Sequence, residues 1–190
     1  MNTPSPGTAE KLPSTLNVAV IAERQKIDNP WQDYRWFPVA VVPGMDDLKT
    51  IDHGARLIKT GEGWQHFHLG TIDIELFAGE TAGYKTNLAG PYPVVYVVLS
   101  PGEEAGDPDV VPFLVTVCPY EAESYTESGE DIVEGVVMPP EILAWVSQFV
   151  DKYHVEETFV KRKQKKAYDP RKQGLAGVRG PDKRLTGDEQ

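Results

Sequence analysis

From Thr71 the chain reads TIDIELF, with Ile72, Ile74 and Leu76 separated by Asp73 and Glu75. A period of two puts the apolar side chains on one face of a strand and the acids on the other, as in a half-buried antiparallel sheet. WQHFHLG precedes it, and Gly70 marks a bend or bulge between the two halves of a bent strand or strand pair. LNVAVIAERQKI alternates well enough for a first strand. NPWQDYRW then carries a turn signal, and FPVAVVPG gives a second strand closed by Pro43–Gly44. In MDDLKTIDHGARLIKTGEG, Gly54 and the Gly61–Glu62–Gly63 turn exclude one long helix, leaving a short helical turn and a strand ARLIKT.

GETAGYKTNLAGPYP reads as a loop region with at most one helical turn. VVYVVLS and VPFLVTVCP are β-branched runs that predict central strands buried on both sides, joined by an exposed acidic loop, PGEEAGDPD. The rhythm then changes. Pro119 is placed to start a helix over PYEAESYTESG and Gly129 to end it; DIVEGVVM follows as a strand. In PPEILAWVSQFVDKYH, two prolines open a helix whose Ile142, Val146, Phe149 and Tyr153 form one apolar stripe. Glu141 complements its N-terminal dipole, and Lys152 and His154 its C-terminal end. The fold class expected is α+β: a mostly antiparallel sheet or half-barrel with two helices late in the sequence.

Residues 1–15 are Pro/Ser/Thr/Gly-rich without periodicity and are expected to be a disordered leader. Residues 16–157 form the single domain, and 158–190 a basic, largely disordered tail with too few apolar residues to offset chain entropy. The division is sharpest in charge. Residues 1–157 hold 9 Lys/Arg and 25 Asp/Glu, net −16, whereas 158–190 hold 10 and 4, net +6. An acidic body repels nucleic acid and anionic membranes. The tail also lacks interleaved aromatics for base stacking apart from Tyr168, so no nucleic-acid partner is expected. No apolar run approaches the ~18 residues of a membrane span. The N-terminus lacks a secretory pattern and Cys118 is the single cysteine, which together predict cytoplasmic residence, no membrane insertion and no internal disulfide.

Candidate chemistry is sparse. His66 and His68 stand two apart with Trp64 on one strand face and could begin a metal site, with Asp73, Glu75, His53 and His154 as further donors. HxH followed by a carboxylate partly matches a cupin, but no Pro-x-Gly motif with a downstream histidine completes it, so the pair reads first as strand residues. Cys118 lies before a helix start, where a thiol can be activated, but without a Cys-His-Asn signature it reads first as a buried, inert cysteine. G-x-S-x-G, G-x-G-x-x-G and Walker patterns do not occur. Glu103–Glu104 and Asp46–Asp47 read as solvated loop charges. Trp31, Tyr34, Trp36 and Phe37 surround Arg35 in sequence and predict a core corner where a loop packs over the sheet, or a partner-docking surface. Lys161, Arg162, Lys163, Lys165 and Lys166 read as a solvated tail or as an electrostatic docking site for an acidic partner. No catalytic residue and no cofactor are assigned.

Three stretches taken together resemble a known family: NPWQDYRWFPVAVVPG, then YPVVYVVLSP through VPFLVTVCPYEAESYTESGEDIVEGVVMPPEI, then AWVSQFVDKYHVEETFVKRK. They are similar, in order and over roughly residues 17–166, to a bacterial domain-of-unknown-function family often encoded beside molybdenum-dependent formate dehydrogenases. The resemblance carries no catalytic motif, and the His66/His68 pair is in none of the three stretches that carry it. It implies a non-catalytic accessory or maturation protein that binds a formate dehydrogenase subunit. Two other expectations stand beside it: a cupin-like enzyme holding a metal or small ligand through His66 and His68, and a permanent small subunit of the dehydrogenase.

Overall fold

A computed structural model describes residues 12–44, 54–103, 107–127 and 129–156. The first half of the chain forms a four-stranded antiparallel sheet from β1 (Thr15–Lys26), β2 (Tyr34–Pro43), β3 (Arg56–Gly61) and β4 (Trp64–Glu75), in the order β2-β1-β4-β3. The second sheet has three antiparallel strands, β5 (Val94–Pro101), β6 (Val110–Thr116) and β7 (Ile132–Val137), in the order β6-β5-β7. Three helices complete the fold: α1 (Thr81–Leu88), α2 (Pro119–Thr126) and α3 (Pro140–Tyr153). The α+β class expected from the sequence is the class observed.

WQHFHLGTIDIE is one continuous strand. Gly70 adopts φ +119°, a backbone region that side chains other than glycine rarely enter, where the β1–β4 register shifts between Ala19 and Ile21. The bend lets β4 pair with β3 over its first half and run beside β6. On the other margin β2 runs beside β7. Approaching along both margins, the sheets enclose one core that includes Val18, Val20, Leu69, Val95, Val97 and Val136.

α3 matches its sequence pattern: Pro139 is the N-cap, and Ile142, Val146, Phe149 and Val150 are the buried residues. α2 begins at Pro119 as expected, and Gly129 beyond it has φ +70°. Two expectations are corrected. GETAGYKTNLAGPYP holds a full helix, α1, preceded by a 3-10 turn at Ala78–Glu80. Its buried face is Thr81, Gly83, Tyr84 and Asn87, which no hydrophobic period reveals. Of the two expected central strands, β5 is central, but β6 is an edge of its sheet and leaves Phe113 55% exposed.

The fold also uses residues before 16. The Trp145 indole N–H donates to the Pro13 carbonyl at 2.8 Å, and Leu76 N–H to the Ser14 carbonyl at 2.7 Å. The helical turn expected before β3, most of the leader and the basic tail lie outside the described residues.

Candidate functional site

Loop Ile27–Asp33 joins β1 to β2. Ile27 N–H bonds the Asp33 carbonyl at 3.0 Å to close it, and the Asn29 side-chain oxygen accepts from Trp31 N–H at 2.9 Å. This Asx-type turn fixes the tip and holds Trp31 out, 92% exposed. The strands that follow align Lys26 with Tyr34 and Arg24 with Trp36. The aromatic group noted in the sequence is therefore divided. Trp36 is buried, Tyr34 is half-exposed and Trp31 stands in solvent. The expected centre, Arg35, instead pairs with Glu134 of β7 at 3.7 Å and lies 5.7 Å from the Phe37 ring centre.

Arg24 is the cation that the aromatics enclose. Its guanidinium carbon lies 4.6 Å from the ring centre of Tyr34, 5.0 Å from Phe67 and 5.7 Å from Trp36, within cation–π reach of all three. Its Nη2 donates to Gln65 Oε1 at 2.5 Å, and its Nε is buried without a partner. Sequence reading passed over Arg24. The available signal was its place in an alternation: Val18, Val20 and Ala22 belong to the core, and Arg24 follows at the same spacing of two.

Tyr34 separates two clefts. The larger, about 470 Å³, lies between the sheets and has an apolar floor of Leu99, Val110 and Ile132. Trp36 and Tyr34 form its aromatic wall, and Asp33, Asp109 and Glu130 supply three carboxylates. Asp109 also accepts from the Trp36 indole N–H at 3.1 Å, which holds both in place. The smaller, about 210 Å³, is lined by Arg24, Lys26, Tyr34 and Trp64, with Thr60, Gln65 and the glycines of the β3–β4 turn. Tyr34 thus lines both an acidic cleft and a basic one, and each suits ions of the opposite charge.

The histidine pair occupies two different environments. His66 Nε2 contacts Glu23 Oε2 at 2.8 Å, with the His66 ring 4.6 Å from that of Trp64. His68, opposite Ile21 and Arg56, is fully buried, and neither ring nitrogen has a partner. Burial, and secondarily the Arg56 charge, push its pKa below the ordinary 6.5. Asp73 is engaged by the Asn17 side chain at 2.6 Å, and His154 Nδ1 lies 3.2 Å from Thr81 Oγ1. Among the described residues no three His, Cys, Asp or Glu side chains come together as a metal site.

Cys118 is buried at the N-cap of α2 and packs near Gly83 of α1. Tyr84 accepts from Phe77 N–H at 3.0 Å and donates to Glu80 at 3.1 Å; burial raises its hydroxyl pKa well above the ordinary value. Both residues are structural members of the core. Glu103 is exposed as expected. Asp46, Asp47, His53, Glu104 and the run Lys161, Arg162, Lys163, Lys165 and Lys166 lie outside the described residues. Among the described residues no helix is long and apolar enough to cross a membrane.

Residues 17–163 match a protein family of unknown function, DUF3305, and the chain belongs to that family. No curated protein and no solved structure matches it significantly.

Proposed function

We propose that this is a non-catalytic accessory protein that docks a basic segment of a partner protein in the acidic cleft beside Trp31. The observation that carries the reading is an indole 92% exposed, held out by a built turn, next to a cleft that joins aromatic walls to three carboxylates. Tryptophan is enriched among the residues that dominate binding energy, and here it stands beside a cleft with aromatic walls. A lysine or arginine side chain suits the cleft: its stem lies on the apolar floor, its charge meets the carboxylates, and Trp36 and Tyr34 flank it.

The sequence resemblance to proteins encoded beside molybdenum-dependent formate dehydrogenases supports a subunit of such an enzyme as the partner. It also supports maturation, the holding of an apo-subunit or the assistance of cofactor insertion, as the task. Lys161, Arg162, Lys163, Lys165 and Lys166 would add a second contact, to an acidic surface of that partner.

The test is affinity capture from the native host grown with formate, washed at low and moderate salt. A formate dehydrogenase subunit is expected with the wild-type protein at low salt, less at moderate salt, and none with the double variant Trp31→Ala, Asp33→Lys. Failure to recover a dehydrogenase subunit overturns the partner, and equal recovery by the double variant overturns the cleft. Equal capture after removal of residues 158–190 would sink the role of the tail. Co-purification with active, cofactor-loaded enzyme would make the protein a permanent subunit.

A further inference from the structure

The smaller cleft has a chemistry of its own. In residues 1–157, net −16, positive charge is scarce, and only seven Lys and Arg fall among the described residues. Three of the seven gather at this end of the first sheet: Arg24 and Lys26 line the cleft, and Lys59 lies over the Trp64 ring at 5.4 Å. Among the described residues no carboxylate pairs with Arg24, although Glu23 is its neighbour in sequence; Glu23 is engaged by His66. Arg24 is partly buried, and its guanidinium is positioned by three rings and Gln65. A partly desolvated, preorganised cation with no counter-ion among the described residues is stabilised by an anion from outside.

The walls narrow the ligand further. Trp64 packs on Gly61, where a Cβ would overlap the indole, so the glycine of the hairpin admits the ring. Tyr34 and Trp64 give the cleft aromatic surface beside its two cations, and 210 Å³ is smaller than an ordinary drug-sized pocket. We propose that this cleft is a binding site for a small aryl oxyanion, a single planar ring bearing a phosphate or carboxylate. The oxyanion meets Arg24 and Lys26, and the ring lies against Trp64 or Tyr34. The site shares the Tyr34 ring with the docking cleft but uses neither Trp31 nor the carboxylates of the larger cleft.

Phenyl phosphate is the probe, titrated into the full-length protein while the Trp64 indole N–H and Arg24 Nε–H are followed by two-dimensional NMR. Saturable shifts at both groups are expected, with affinity about fivefold or more above inorganic phosphate because the ring adds contact. Arg24→Gln is expected to weaken binding about tenfold, the effect of one charge-assisted contact. Lys26→Gln, at an exposed side chain, is expected to weaken it about threefold without affecting folding. Trp31→Ala should bind as wild type does, which separates this site from the docking surface. No saturable shift with phenyl phosphate, or unchanged affinity in Lys26→Gln and a folded Arg24→Gln, overturns the site. Equal affinity for inorganic phosphate overturns the assignment of the ring.

Discussion

His68 is the residue whose chemistry is most at odds with its surroundings. A neutral imidazole carries one donor and one acceptor, and here both are buried and unmet. Protonation is opposed by burial and by Arg56, so the folded state holds the ring neutral at pH values where the unfolded chain has begun to charge it near 6.5. Between the unfolded and the lower folded pKa, the unfolded state therefore binds more protons. Stability must then fall as pH drops through 6.5 and level off below the folded pKa. The loss from His68 alone reaches at most about 1.4 kcal/mol between pH 7.5 and 5.5. His68→Leu, of similar volume and with no polar atoms to satisfy, should flatten that part of the pH dependence. At pH 7.5 it should be as stable as wild type or about 1 kcal/mol more so. Urea unfolding of both proteins at the two pH values checks this, and an unchanged pH dependence would show that folding does not lower the His68 pKa. Asn87 is the converse, a buried polar residue fully used. Its Nδ2 donates to the Val94 and Val117 carbonyls at 2.7 and 2.9 Å, and its Oδ1 accepts from Val94 N–H at 3.1 Å. Asn87→Ala strands three backbone groups and should cost about 3 kcal/mol in the same measurement.

At the scale of elements, the β3–β4 hairpin couples a backbone position to the basic cleft. Gly61→Ala should displace the Trp64 indole without breaking the strand register, because the overlap is with a side chain that can swing outward. A red-shifted tryptophan emission and weaker phenyl phosphate binding are the expected outcomes; an unshifted spectrum would mean that the hairpin absorbs the added methyl by moving its backbone. Sequence patterns read such elements well when one apolar period decided them. β1, β4 and α3 each carry a repeat of two or of about 3.6, and each was legible. α1 was not, because Thr81, Gly83 and Asn87 occupy its buried face and are satisfied by hydrogen bonds and close packing instead of apolar area. The site was half legible for a similar reason. Trp31, Tyr34 and Trp36 announce themselves, but which is exposed depends on the loop turn. The role of Arg24 depends on pairing Arg24 with Trp36 and with Gln65, a distance of 41 residues along the chain in the latter case.

Across the whole domain, both sheets and α3 share one core. Val18 and Val20 of β1, Val95 and Val97 of β5, Val136 of β7, and Ile142 and Val146 of α3 all belong to it. Neither sheet can shed the other without exposing its share of that surface, at roughly 25 cal/mol per Å². The Trp145–Pro13 bond also joins the chain before β1 to α3. The domain should therefore unfold as one cooperative unit, despite its division into two sheets. Single-tryptophan proteins test this directly. One keeps Trp36, which reports the first sheet, and the other keeps Trp145 on α3, with the remaining three tryptophans replaced by Phe. In urea each should show one transition, and the midpoints by fluorescence and far-ultraviolet circular dichroism should coincide within each protein. Since 9 Lys/Arg against 25 Asp/Glu leave residues 1–157 at net −16, self-repulsion weakens the folded state, and added salt should raise stability in both proteins alike. A fluorescence midpoint that separates from the circular dichroism midpoint in either protein would show that the two sheets are stable apart, and that their common core is a contact between independent halves.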